Sequence, residues 1–240
     1  MSEETYEPSR RDVQGETLAV LAFAVLPDLC WSIHPWLFGA GSFAGSVPSH
    51  AFAILVRSVA VSVPVLFLIS RSGLGWERFG LVRPRWVRDP LAGCAAFLLL
   101  VVANRLFEII AWLWIGPSLW AVPDWVVSEP LRPRGTVEFG LVVAMDAANA
   151  FAEELVMRAY LLERFERLLG SKFDAVIASS VLFAGYHTYQ GFGSAVQVFL
   201  FGLVVSVGYL RGRRLWPWVV AHLMWNVTLI YDVQPVLCGG

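Results

Sequence analysis

Charge is scarce in this 240-residue chain: acidic and basic residues make up 15% of it, against about 25% in an ordinary soluble domain. That excludes an ordinary soluble enzyme, and equally a charge-rich disordered segment. There is no basic excess, with 18 basic residues against 19 acidic and a net charge of −1. Nothing therefore drives phosphate binding, and nucleic acid is excluded as a partner. Lysine is almost missing, since 17 of the 18 basic residues are arginine. Cysteine is rare: Cys30, Cys94 and Cys238 lie far apart and no CxxC occurs. A zinc knuckle and a thioredoxin-type motif are thereby excluded. Cys94 sits in an apolar run and is expected to be a small core residue. No repeat of 20–50 residues is present, so the chain is not a repeat array.

Apolar residue is what the chain has instead, at 57%. One core of this size cannot bury that much, whereas a bilayer can. Seven apolar segments stand out: 17–38, 51–70, 91–115, 137–162, 173–187, 193–210 and 216–231. A bilayer core takes roughly 20 helical residues. The first four segments meet that; the last three are short, as suits helices packed inside a bundle or a thinned bilayer. Pro217 fits the first turn of the seventh. The expected fold is all-α: a polytopic membrane bundle of about seven transmembrane helices. Residues 1–16 read as a disordered cytoplasmic tail. Residues 17–136 read as N-terminal transmembrane helices with interfacial loops, 137–231 as a second group of helices, and 232–240 as a C-terminal tail.

The arginines give an orientation. Arg10 and Arg11 lie in the tail. Arg71, Arg78, Arg83, Arg85 and Arg88 lie in the second connection, Arg164, Arg167 and Lys172 in the fourth, and Arg211, Arg213 and Arg214 in the sixth. The opposite side holds only Arg132 and Arg134, and Arg57, Arg105 and Arg158 fall within helices. Positive charge stays inside, so the N-terminus is expected in the cytoplasm and the C-terminus outside. Residues 71–89 mix Trp76, Phe79, Leu81 and Trp86 with arginine, as suits a stretch lying on an anionic leaflet. Residues 117–136, with Trp120, Trp125 and four prolines, read as an outer aromatic belt.

Ionisable residues inside a membrane are costly and usually functional. The fourth segment concentrates them: Asp146, Asn149, Glu153, Glu154 and Arg158. At about 100° per residue they cover one half of the helix, which leaves Leu141, Met145, Ala148 and Ala152 toward lipid. Glu154 and Arg158 have the acid-first, four-residue spacing of a helix ion pair, and Glu153 is left without a local partner. His187 ends the fifth segment. His222 and Asn226 share one face of the seventh, where a hydrogen-bonded pair joining two helices is the plainer alternative to a functional role. Measured from the cytoplasmic ends at about 1.5 Å per residue, Glu153, His222 and Asn226 come out about 10–16 Å deep. His187 comes out at about 22 Å and fits only if its helix is tilted or begins above the surface.

Together Glu153-Glu154-x-x-x-Arg158, Phe183-x-x-x-His187 and His222-x-x-x-Asn226 resemble the three motifs of the CPBP family. That family is also called Abi, and includes the type II CAAX prenyl endopeptidases. Phe199 to Gly202 and Leu215-Trp216-Pro217 also resemble the family's run between the second and third motifs. The likeness covers about 137–231. Ala159 stands where a Gly usually follows the Arg, and Ser206 where a Gly usually repeats; both are small enough to keep helices close.

The resemblance implies a glutamate-type intramembrane endopeptidase that requires no cofactor. It implies Glu153 as general base, His187 holding the water, and His222 and Asn226 facing the oxyanion. Glu154 and Arg158 form a supporting pair, with Glu154 near the water. Its partners would be the lipid bilayer and a protein or peptide substrate. Family substrates include prenylated C-termini, bacteriocin-type precursors and C-terminal sorting anchors. The arginine bias suggests a GC-rich bacterial genome, hence an inner membrane and a sorting segment rather than a prenyl substrate. Other readings stay open: a zinc-dependent protease using two histidines and a glutamate; a non-catalytic immunity or scaffold protein; and a transporter using Asp146, Glu153, Arg105 and Glu108 as a polar path.

Overall fold

The computed structural model describes residues 9–38, 46–116, 119 and 133–231. Cys238, Trp120, Trp125, Arg132 and the expected C-terminal tail lie outside the described residues. Among the described residues there are seven long helices and no strand. Helix α1 spans 10–38, α2 Val47–Arg71, α3 Arg88–Ile115, α4 135–169, α5 Lys172–Gly185, α6 Phe192–Gly212 and α7 Trp216–Tyr231. Each apolar segment of the sequence thus has its helix.

Local chemistry sets the ends. Ser9 caps α1 and exchanges bonds with Asp12 in a capping box. From Arg10 the polar stretch assigned to a tail is therefore helix. Ser46 and Ser171 cap α2 and α5 through the amides of Ser49 and Asp174. Helices α1 and α4 each contain a π-helical stretch, at Leu21–Val25 and Leu155–Leu161. Gly170, in the left-handed conformation, ends α4 at Leu169.

Among the described residues four helices are long and apolar enough to cross a membrane: residues Arg10–Leu37 of α1, with α2, α3 and α6. Their outward faces identify an integral membrane protein. On α2, Phe52, Val56, Val59, Val63 and Phe67 are exposed at spacings of three and four, while Ser58 and Ser62 are buried on the opposite face. On α3, Leu98, Leu99, Val102, Leu106, Ile109, Ile110 and Leu113 are exposed. A contiguous apolar surface of this kind needs lipid around it. Cys94 belongs to this exposed surface. That corrects its expected place in the core: around Cys94, from Leu91 to Ala103, α3 is apolar on all sides, so the sequence could not show which side faces in.

The centre of the bundle is α4. Helices α2 and α7 pack along its first half, and α5 packs against its end; α3 pairs with α7, and α5 with α6. Every residue from Ala152 to Phe165 is buried. The expected lipid-facing side of α4 is therefore corrected: Met145 and Ala152 are buried, and Leu141 and Ala148 are half-buried. Neighbouring helices cover both faces. At Gly202 a Cβ would approach Ser180 to 3.1 Å, so the family-like Gly on α6 marks a close helix crossing.

The basic connections meet at one end. A short 3₁₀ turn, Trp76–Phe79, ends at Gly80 in the left-handed conformation, where a Cβ would lie 2.7 Å from the Tyr209 ring. The carbonyl of Gly80 accepts from the Leu215 amide at 3.0 Å, and that of Val82 from the Trp216 indole at 2.6 Å. Arg214 pairs with Asp89 at 2.7 Å, and Arg213 with Glu166. Arg10 donates to the Leu168 carbonyl at 3.2 Å. In the 71–89 stretch Trp76 and Trp86 are exposed, whereas Phe79 is fully buried against the Arg164 guanidinium.

Candidate active site

Glu153 and Glu154 are the last α-helical residues before the π-helical stretch of α4. A π turn shifts the register of everything after it, and such turns concentrate at functional sites. The 100° wheel therefore holds up to Glu154 and fails beyond it. The Ser179 hydroxyl, from α5, donates to the Met157 carbonyl within this stretch at 3.0 Å.

Glu154 is fully buried, and Glu153 and His222 nearly so. The Nδ1–H of His222 donates to Glu154 Oε1 at 2.8 Å. A carboxylate can only accept there, so the ring is fixed through Nδ1. Nε2 is then the nitrogen that faces Glu153, 3.5 Å from Oε2. Arg158 Nη1 lies 3.3 Å from Glu154 Oε1, so the expected four-residue pair forms. The Arg158 guanidinium also lies over the Phe183 ring, 4.3 Å from its centroid. Phe183 and Phe201 wall in His222, with ring centroids 6.0 and 5.0 Å away. The first residue of the Phe183-x-x-x-His187 motif is thus a platform for the arginine and for the other histidine.

His187 lies just past the end of α5. Its Nδ1–H donates to the Phe183 carbonyl at 2.8 Å, which leaves Nε2 as an acceptor. Tyr186 packs against the ring at 4.6 Å between centroids, and Tyr189 at 6.3 Å. The turn is tied to α1: Ser32 contacts the Thr188 hydroxyl at 2.9 Å and accepts from the Tyr189 amide at 2.9 Å, and the Trp36 indole donates to the Thr188 carbonyl. His187 is within electrostatic reach of Glu153 and His222. The depth mismatch in the sequence reading has a simple cause, for α4 runs seven residues past 162. Sixteen residues separate Glu153 from Leu169, and fifteen separate His187 from Lys172. Counted from the ends of their own helices, those give about 24 Å and about 22 Å.

Asn226 follows His222 by one turn on α7 and is half-buried; among the described residues its side chain makes no hydrogen bond. Asp146 is buried two turns before Glu153, within electrostatic reach of His222 and Glu153. Arg105 and Glu108, candidates for a polar path, pair with each other at 2.7 Å, and Glu108 accepts from Gln197 at 2.5 Å.

Nδ1 of His222 is occupied by Glu154. Among the described residues no group of three or more His, Cys, Asp or Glu side chains converges to hold a metal.

Sequence reasoning missed Arg57 of α2 and Asp28 of α1. Arg57 forms a two-pronged ion pair with Asp28, with Nε 2.9 Å from Oδ1, and its Nη1 donates to Asn149 Oδ1 at 3.2 Å. With Glu153 and Tyr186 it lines a cavity of about 10 Å³, room for roughly one water. The available signal was the presence of Arg57 in an apolar helix.

A profile of the Rce1-like family, described as type II CAAX prenyl endopeptidase Rce1-like, matches residues 136–228. No curated protein and no solved structure matches the chain. The matched span runs from the start of α4 to near the end of α7 and contains all three motifs.

Proposed function

We propose that this membrane protein is a glutamate-type intramembrane endopeptidase, a reading supported by the match of residues 136–228 to the Rce1-like, type II CAAX prenyl endopeptidase family, a protease family. The observation that carries the reading is the pairing of Glu154 with His222 beside Glu153. One carboxylate is spent on fixing the histidine through Nδ1. The other faces Nε2 and a water-sized cavity, and its ion-pair contact is the longer one, at 3.5 Å.

The chemistry follows from those positions. Glu153 takes a proton from the attacking water as its oxygen bonds to the scissile carbonyl carbon. His187 holds that water through Nε2. His222, protonated on both ring nitrogens with Nδ1–H held by Glu154, donates Nε2–H to the oxygen on which negative charge develops, and Asn226 faces the same oxygen. Arg158 balances Glu154 in a dry environment, where an unpaired carboxylate would be costly. Collapse of the tetrahedral intermediate breaks the C–N bond. As that bond breaks, Glu153 delivers its proton to the departing nitrogen, giving a carboxyl terminus and a free amine.

The substrate in this reading is a membrane-adjacent peptide segment, either a C-terminal sorting anchor or a lipidated terminus. The protein sits in a bacterial inner membrane with its N-terminus in the cytoplasm. Support for the orientation comes from the basic connections, which collect at one end through the Leu215–Gly80, Arg214–Asp89 and Arg10–Leu168 contacts. Comparing intact C-termini in wild-type and Glu153→Gln cells tests activity and names the substrate. Accumulation of an uncleaved precursor in the variant is expected. An unchanged set of C-termini contradicts the assignment.

A further inference from the structure

Arg57 has a place the mechanism above does not use. A cation within a membrane helix is costly unless it is paired or lines a polar cavity, and Arg57 does both. Its side chain retains 27% of its exposure although it lies near the middle of α2. Of the five guanidinium N–H groups, two point to Asp28 of α1 and one to Asn149 of α4. Three helices therefore hold the plane of the group. Among the described residues two N–H groups, one on each Nη, take no partner.

The cavity beside it is lined by Arg57, Glu153 and Tyr186, and Asp28 is not in its wall. Its volume suits one water, and hence one oxygen atom of a ligand that displaces the water. The charge balance selects which oxygen. Asp28 already neutralises Arg57, Glu153 is a carboxylate in the same wall, and Asp146 lies within electrostatic reach of Glu153. A second anion would be repelled there, whereas a neutral acceptor would not.

Resting on the protease reading, we propose that Arg57 is a substrate-positioning residue. It donates its spare N–H groups to a backbone carbonyl of the bound peptide next to the scissile bond. Asp28 and Asn149 fix the guanidinium for that task. The peptide is thereby registered against Glu153 by its main chain, independently of its side chains.

The test uses purified full-length protein and, as probe, a fluorescent peptide from the precursor that accumulates in Glu153→Gln cells. A hydrogen bond from a charged donor is worth enough for roughly a tenfold change. Arg57→Gln is expected to raise KM about tenfold with kcat nearly unchanged, since an interaction made equally in ground and transition states is removed. Arg57→Lys, which keeps a charged donor, is expected to recover most of the loss. A scaffold role would instead lower the melting temperature and not follow this split. Should Arg57→Gln fail to fold, Asp28→Asn leaves the guanidinium but loosens its orientation, and is expected to raise KM about threefold. An unchanged KM, or a fall in kcat alone, overturns the inference while a dead Glu153→Gln enzyme leaves the protease reading standing. Full cleavage by Glu153→Gln overturns both.

Discussion

Helix α4 carries two buried clusters of acids and arginines about ten residues apart. The inner one is Glu153, Glu154 and Arg158; the one nearer the charged end is Glu163, Arg164 and Arg167. In the second, every charge meets opposite charges. Glu163 lies within 3.6 Å of Arg78, Arg164 and Arg167. Arg164 reaches Glu16 at 2.7 Å and packs on the rings of Phe79 and Tyr160. This cluster ties α1, the 3₁₀ turn and α4 together, and no histidine takes part in its ion pairs. In the inner cluster Arg158 and His222 both go to Glu154, and Glu153 is left with a 3.5 Å approach to His222 and a cavity. A carboxylate surrounded by cations is structural. In the proposed mechanism the proton goes to the one held beside a histidine without a guanidinium of its own.

Removing the arginine of the inner cluster is expected to have the largest combined effect. Arg158→Ala leaves Glu154 buried without its cation, a loss of about 3–5 kcal/mol, and it also removes the guanidinium stacked on Phe183, one of the rings that wall in His222. Both melting temperature and cleavage should fall, and a stable, active Arg158→Ala protein would break the comparison. Glu163→Gln at the other cluster is expected to lower the melting temperature by about 5–10 °C. Activity per folded molecule should stay close to wild type, and a selective loss of activity would show that the charged end takes part in chemistry. Lys172 lies 3.9 Å from Glu166 with 67% of its side chain exposed. Lys172→Gln is expected to change stability by less than about 0.5 kcal/mol. A larger change would mean that exposed pairs at this end matter as much as buried ones.

The seven helices and the three motif helices were legible because apolar length and polar exception are properties of the sequence itself. The side of each helix was less so. Cys94 was misplaced because α3 is apolar on all sides around it, and the Met145–Ala152 face because it is the apolar half of α4, and only packing distinguishes lipid from protein. The end of α4 was read too early, at 162, because Glu163, Arg164 and Arg167 look like a loop until their partners on other helices are known. The π turn after Glu154 left no pattern that a fixed helical period could detect. Arg57 was visible as a residue, yet its meaning depends on Asp28 and Asn149, 29 residues before it and 92 after.

The central claim is that two buried glutamates of one helix differ in kind, and it is tested by the same substitution at both. Purified Glu153→Gln and Glu163→Gln proteins are compared for melting temperature and for cleavage of the accumulated precursor. The account predicts that Glu153→Gln keeps its melting temperature and loses about 10²–10⁴-fold in rate, while Glu163→Gln melts earlier and still cleaves. Cleavage by Glu153→Gln at the wild-type rate would contradict it.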